Sequence, residues 1–308
     1  MTATPLRDKR ILVTGVTSMV AGPMAAALAS DNTVYGAARF QDPASRAPHD
    51  AAGITTVRAD LASGDLDELP PAADVDYVLN FAVARSNDWD ADFAANVEGA
   101  AQLMARYEGV AAFFQCSTAG VYESQGHTLL TEAAPLGDSH RAAGMATYSI
   151  SKIAAEALVQ HTARRLSIPT VIARLSVPYG DTFGWPMFQL MMIEHGMAMP
   201  VSEDPPTTYS PLHLDDIVGS LPYLLDTASV PATVVNWGGD EVVAVEDWCS
   251  LIAELIGKDV TFEPSPSAIP SIPLDVSRLN SLGFHSTVGW RDGMRRLVET
   301  LRPELVAR

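Results

Sequence analysis

Tyr148 and Lys152 stand four residues apart in Tyr148-Ser149-Ile150-Ser151-Lys152, and the lysine is one of only three in the 308-residue chain. On a helix that spacing puts both side chains on one face, about one turn apart. A free tyrosine ionises near pH ~10 and exchanges protons poorly at neutrality, whereas a nearby ammonium favours the phenolate. The pair is a candidate general acid/base. Taken alone, the same spacing also suits a solvated helix face, so the elements around it decide between the two.

Through the first 175 residues, short β-rich runs alternate with longer Ala/Leu-rich stretches, the pattern of a parallel sheet covered by helices on both faces. The pattern predicts strands at Ile11 to Thr14, Thr33 to Ala37, Ile54 to Val57, Tyr77 to Phe81, Ala111 to Cys116 and Thr170 to Ala173. Helices are predicted near Met19 to Ala29, Ala91 to Tyr107 and Thr147 to Arg165, the last carrying Tyr148 and Lys152. A late run, Thr233 to Trp237, reads as a strand returning to the sheet. Two Pro-rich stretches, Met199 to Pro211 and Phe262 to Pro273, read as loops of a second lobe. The predicted architecture is a doubly wound parallel-sheet α/β Rossmann fold with a smaller C-terminal substrate-binding lobe. Its dinucleotide domain covers 6–175, with 212–240 returning to it, and the lobe covers 176–211 and 241–308.

The first strand runs into Thr14-Gly15-Val16-Thr17-Ser18-Met19-Val20-Ala21, where a dinucleotide fold needs a tight turn and a helix N-terminus aimed at pyrophosphate. Gly15 fits the turn, and Thr17, Ser18, Met19 and Val20 form the segment facing the cofactor. Ser18 stands where a second glycine lets the backbone approach the phosphates, and Ala21 where a third allows close helix packing. The second strand ends in Gly36-Ala37-Ala38-Arg39, without the carboxylate that accepts a ribose 2′-hydroxyl in NAD-binding proteins. Arg39 there suits the 2′-phosphate of NADP, or else is a solvated loop residue.

The net charge of −17 comes with no basic run, which argues against nucleic acid and anionic membrane surfaces as partners. Between Arg174 and Arg278 the only Lys or Arg is Lys258, so that half is not built to bind a polyanion. Apolar stretches are too short to span a bilayer, and Met1 to Arg7 lacks the apolar core of a signal peptide. A cytoplasmic location is the expectation. Cys116 and Cys249, the two cysteines, fall in a predicted buried strand and helix and read as core residues.

With the turn, the Tyr/Lys pair and the strand order together, the chain resembles the extended short-chain dehydrogenases, the family of NAD-dependent epimerases and dehydratases, over nearly its full length. Further matching segments are Ala59-Asp60-Leu61, Asn80-Phe81-Ala82-Val83-Ala84, Asn96-Val97-Glu98-Gly99, Ser117-Thr118-Ala119-Gly120-Val121-Tyr122, Arg174 to Gly180 and Leu212 to Ile217. The resemblance implies that Thr118 joins Tyr148 and Lys152 in catalysis. It implies that Asp60 and Leu61 flank the adenine, that Phe81, Ala82 and Val83 pack along the ribose and pyrophosphate, and that Leu175 and Pro178 border the nicotinamide. Arg85 falls where some members keep a basic residue near the phosphates, and Asn96 is expected to tie helix to sheet. Helices 91–107 and 147–165 pair into a homodimer in many relatives.

Departures from the family pattern narrow the chemistry. Dehydratases follow the catalytic Thr with an Asp-Glu pair, but here Ala119-Gly120 follow, and Val177 stands where many sugar-nucleotide enzymes place Asn. The segment Thr182 to Met192 is aromatic and Met-rich, suiting either an apolar pocket or packing of the second lobe. The reading that follows is a metal-free oxidoreductase using NADP(H), with NAD(H) possible, on a carbonyl or secondary alcohol of an uncharged, rather apolar small molecule. In that reading Lys152 lowers the pKa of Tyr148 and holds the nicotinamide ribose. Two alternatives keep the same residues: an epimerase of a sugar or related polyol using transient oxidation, and a regulator that binds NADP without turnover.

Overall fold

Strand β1 (Arg10–Thr14) buries four of its five residues, and β6 (Thr170–Leu175) buries all six, as strands covered on both faces must. With β2 (Thr33–Ala38), β3 (Thr55–Arg58), β4 (Tyr77–Asn80), β5 (Ala112–Thr118) and β7 (Thr233–Trp237) they form a seven-stranded sheet, ordered β7-β6-β5-β4-β1-β2-β3. Pairing is parallel from β5 through β4 and β1 to β2 and β3. The fold is the Rossmann-like α/β arrangement expected. Chain direction across the sheet reverses between β1 and β4, which places the ligand crevice of such folds at the carboxyl ends of those two strands. The computed structural model describes residues 3–305; Met1 and Thr2 of the leading segment and residues 306–308 of the expected lobe lie outside the described residues.

The chain divides into two compact units. The first comprises Met1–Thr118, Met145–Arg174 and Ser220–Val235, and the second Ala119–Gly144, Leu175–Gly219 and Asn236–Arg308. Residues 119–144, which the expected boundaries assign to the dinucleotide domain, group with the second unit, as do 212–219 and 236–240.

In the first unit, helix α1 (Ala21–Ala29) follows β1, and the segment after β4 holds α2 (Trp89–Phe93), a π-turn (Ala94–Glu98) and α3 (Gly99–Arg106). Helix α4 (Tyr148–Leu166) follows. Leu103, Met104 and Tyr107 meet Val159 and Ala163 of α4 over Leu12, Val78, Phe113 and Ile172 of the sheet in one apolar cluster. That burial fixes where α4 begins, and with it the height of Tyr148 above the strand ends. At those ends a buried polar row crosses the sheet in register: Thr14 Oγ1 donates to Asn80 Oδ1 (2.6 Å), and Asn80 Nδ2 to Gln115 Oε1 (2.8 Å).

The second unit has its own core, in which Trp185 meets Tyr209 and Trp248 edge to face and Trp248 Nε1 donates to Gln189 Oε1 (2.6 Å). The two Pro-rich stretches are not loops throughout. Met199–Val201 and Phe262–Pro264 pair with each other as short parallel strands. Of the aromatic and Met-rich segment, Phe183, Pro186 and Leu190 are buried, while Phe188 and Met191 are exposed.

Candidate active site

Thr118 is the last residue of β5 and is buried, and Tyr148 and Lys152 occupy the first two turns of α4 on one face. The Thr118 hydroxyl is hydrogen-bonded to the Tyr148 phenol. Lys152 Nζ donates to the Cys116 carbonyl (3.0 Å), two residues before Thr118. The three residues expected to do chemistry therefore converge at the carboxyl end of one central strand. Burial pushes the Tyr148 phenol above its ordinary value, opposed by the Thr118 hydrogen bond and by Arg85. Burial lowers Lys152, against the attraction of Glu156. The Arg85 guanidinium is set against the Tyr148 ring, its central carbon 6.0 Å from the ring centre. Cys116 is pushed up to about 11 by burial and stays a neutral thiol at physiological pH.

A buried ion pair supports this corner. Arg174 donates to both Glu156 carboxylate oxygens (2.7–3.2 Å), and the Ser117 hydroxyl donates to Glu156 Oε1 (2.5 Å). Glu156 lies one helical turn beyond Lys152, and Ser117 immediately precedes Thr118. Two of the catalytic candidates are thus tied through their neighbours to one fully paired carboxylate.

The turn after β1 has the backbone needed to admit a phosphate. Gly15 has φ +69°, and a Cβ there would lie 2.9 Å from the backbone of Ala82, so the turn closes against the segment after β4. Ser18, in a glycine position of the fingerprint, accepts from Ala21 N–H (3.2 Å) and so caps the first turn of α1. Ala21 is fully buried, but Gly22 is the residue without room for a side chain, since a Cβ there would lie 2.8 Å from the Val16 carbonyl oxygen. Thr17 and Met19 are exposed along the turn, and Val20 is half-buried.

The remaining predicted positions divide. Arg39 is exposed just past β2 and makes no ion pair with a described residue, while Arg46, unremarked in the sequence, stacks on Phe40 (4.9 Å). Phe81 is buried on Phe114, Ala82 is half-buried and Val83 exposed. The Asp60 carboxylate accepts from Ala62 N–H (3.1 Å) within its own loop. Leu61 lies in the apolar cluster, where Gly99 packs against it. Leu175 and Pro178 belong to the second unit, Leu175 buried and Pro178 half-buried. Asn96 ties the loop after β4 to α4 rather than helix to sheet, bonding Ala84 and Ser151.

A model of the NAD dependent epimerase/dehydratase family matches residues 11–198. The chain belongs to this family. Among curated proteins, it is 25% identical to a trifunctional UDP-glucose 4,6-dehydratase/UDP-4-keto-6-deoxy-D-glucose 3,5-epimerase/UDP-4-keto-L-rhamnose-reductase of Arabidopsis thaliana, covering 99% of this chain and 49% of that protein. The chain spans about half the length of the curated relatives it matches. Among solved structures it superimposes on UDP-glucuronic acid 4-epimerase from Bacillus cereus in complex with NAD, with a TM-score of 0.80, 20% identity and 96% and 99% of the two chains covered. A dTDP-glucose 4,6-dehydratase from Bacillus anthracis in complex with NAD gives a TM-score of 0.80 at 20% identity, covering 96% and 97%. At that identity the likeness speaks for the fold.

Proposed function

We propose that the protein is an epimerase that inverts a secondary alcohol of a sugar or related polyol by transient oxidation. The observation that carries this reading is the Thr118–Tyr148 hydrogen bond at the end of β5, combined with Ala119-Gly120 in the two positions directly after Thr118, neither of them an acid. Ala119 has no functional group, and a side chain at Gly120 would collide with the His140 ring 2.1 Å away. Elimination chemistry needs an acid and a base beyond the tyrosine, so a dehydratase is disfavoured. The named relatives are sugar-nucleotide enzymes, which moves the weight from the expected carbonyl reductase to the epimerase.

In this mechanism Thr118 holds the substrate hydroxyl while the Tyr148 phenolate takes its proton. The bound nicotinamide supplies reversible hydride transfer at the adjacent carbon. After the carbonyl intermediate presents its other face, Tyr148 returns the proton to the new alkoxide, and Thr118 stabilises the developing charge. Lys152 would hold the nicotinamide ribose. Gly15 to Val20 would take the pyrophosphate, Gly15 supplying the left-handed turn (φ +69°) that brings this segment against Ala82. Arg39 supports a preference for NADP(H) over NAD(H). Proton and hydride both return to the substrate, so no cofactor is consumed.

A net reductase is the second reading, favoured by exposed Phe188 and Met191 in a unit whose Arg296 is committed to Asp181 and Asp215. The purified protein should be incubated with a panel of UDP-sugars, free sugars and apolar ketones, once with NADP or NAD and once with NADPH or NADH, with products read by NMR and cofactor by absorbance. Inversion with flat absorbance supports the epimerase; product matched one to one by cofactor oxidation supports the reductase and overturns it. Pairing of α3 and α4 between two copies, as a homodimer, belongs to the same proposal.

A further inference from the structure

The segment Ala84-Arg85-Ser86-Asn87 between β4 and α2 is clamped on both sides of its arginine. Ala84 gives its N–H to Asn96 Oδ1 (2.7 Å) and takes Asn96 Nδ2 at its carbonyl (2.9 Å). On the other side, the Ser86 and Asn87 N–H groups donate to the carboxylate of Asp92 (3.0–3.1 Å), and the Ser86 hydroxyl adds a bond of 2.7 Å. Arg85 stands between these fixed peptide units. Its guanidinium lies at the outer edge of the distance at which a cation is drawn to an aromatic face, and the face is that of Tyr148.

The same Asp92 oxygen that holds Asn87 also accepts the Thr147 hydroxyl (2.6 Å), and Thr147 is the residue before Tyr148. One carboxylate, 0% exposed, therefore binds both the loop that carries Arg85 and the turn that carries the tyrosine. Its contacts are all with donors: Ser86 N–H and O–H, Asn87 N–H and Thr147 O–H. An ionised carboxylate can accept them all, whereas an amide would turn two hydrogens toward donors. Nothing in the local sequence requires an acid at this position, since the helix start it lies in is already capped by Asp88.

We propose that Asp92 is a positioning residue: by binding Ser86, Asn87 and Thr147 it holds the Arg85 guanidinium over Tyr148, where Arg85 is one of the cations that stabilise the phenolate. This rests on Tyr148 being the acid/base group. The charged and titratable groups facing Tyr148 are Arg85 from the loop after β4, Cys116 from β5 and Lys152 from its own helix. Cys116 stays neutral and Lys152 is anchored to the Cys116 carbonyl, so of the two cations Arg85 is the one whose place depends on Asp92. Removing it leaves the effect of burial less opposed, and the phenolate becomes scarcer at any given pH.

The test uses the full chain with 3-fluorotyrosine placed at 148, an analogue that ionises at lower pH than tyrosine, titrated by fluorine NMR with no substrate or cofactor. Arg85→Gln should raise the titration midpoint by about one pH unit, a tenfold loss of phenolate, and Arg85→Lys should restore most of it. Asp92→Asn and Thr147→Val should raise the midpoint in the same direction. An unmoved midpoint in Arg85→Gln overturns the proposal, and so does an unmoved midpoint in Thr147→Val or in folded Asp92→Asn when Arg85→Gln shifts. If Asp92→Asn does not fold, Thr147→Val decides. Because no turnover is measured, failure here is distinguishable from failure of the epimerase reading.

Discussion

Glu156 and Arg174 form an ion pair in which neither side chain is more than 5% exposed, with Arg174 Nη2 2.7 Å from Glu156 Oε2. Removing one partner strands the other charge in the core, a loss that typically costs about 3–5 kcal/mol. Glu156→Gln and Arg174→Met should each lower the thermal midpoint sharply, while the double variant should recover part of the loss. Calorimetric melts of the four proteins check this. Additive single effects would mean that the pair is not coupled.

Gly15→Ala places a methyl group 2.9 Å from the Ala82 backbone at a φ of +69°, where L-residues are strained by roughly 1–2 kcal/mol. The variant should stay folded yet bind dinucleotide at least about tenfold more weakly, because the turn must open to relieve the contact. Titration with NADPH, followed by its fluorescence, measures the effect. Unchanged affinity would remove this turn from the cofactor site.

On the proposed reading, Arg39 is the residue that sets a preference for NADP(H). A charge-assisted contact to a 2′-phosphate contributes about 1.5–3 kcal/mol, or roughly ten- to a hundredfold in affinity. NADPH should therefore bind more tightly than NADH, with Arg39→Ala removing most of the difference and rising salt weakening it. Calorimetry at low and high salt gives the comparison. Equal wild-type affinities would contradict it.

The Asp92 carboxyl is held below the ordinary carboxylate range: burial raises it, but the hydrogen bonds from Thr147, Ser86 and Asn87 outweigh that effect. The unfolded chain then binds this proton more readily than the folded one. The stabilising contribution is complete above the ordinary Asp value of about 4 and is lost progressively as pH falls below it. Asp92→Asn should accordingly be less stable than wild type at pH 7, with the gap narrowing toward pH 3. Melts across that range test the sign.

The strands and the Tyr148, Lys152 and Thr118 positions were legible in the sequence because each rests on a local signal: apolar runs of strand length, a four-residue spacing, a short motif. What was not legible depends on partners far apart in the chain. The Thr14–Asn80–Gln115 row joins residues 66 and 35 positions apart, and Glu156 finds Ser117 39 positions away. Asp92 carries no local signal of its role, since its four donors come from two separate segments. Pairing of Met199–Val201 with Phe262–Pro264 escaped for the same reason, proline having marked both stretches as loops. Gly22 was adjacent to the position where the fingerprint places its third small residue, and only the approach of Val16 singles it out.

The central claim is inversion through a transient carbonyl, with Tyr148 moving the proton and the substrate keeping its own carbon-bound hydrogen. It is tested most directly by running the reaction in D2O with the sugar that the screen identifies, and reading the inverted carbon by proton NMR. The account predicts product with its original C–H and no deuterium at that carbon, flat cofactor absorbance, and at least a ~100-fold slower rate in Tyr148→Phe. Deuterium at the inverted carbon, or a Tyr148→Phe variant as fast as wild type, would contradict it.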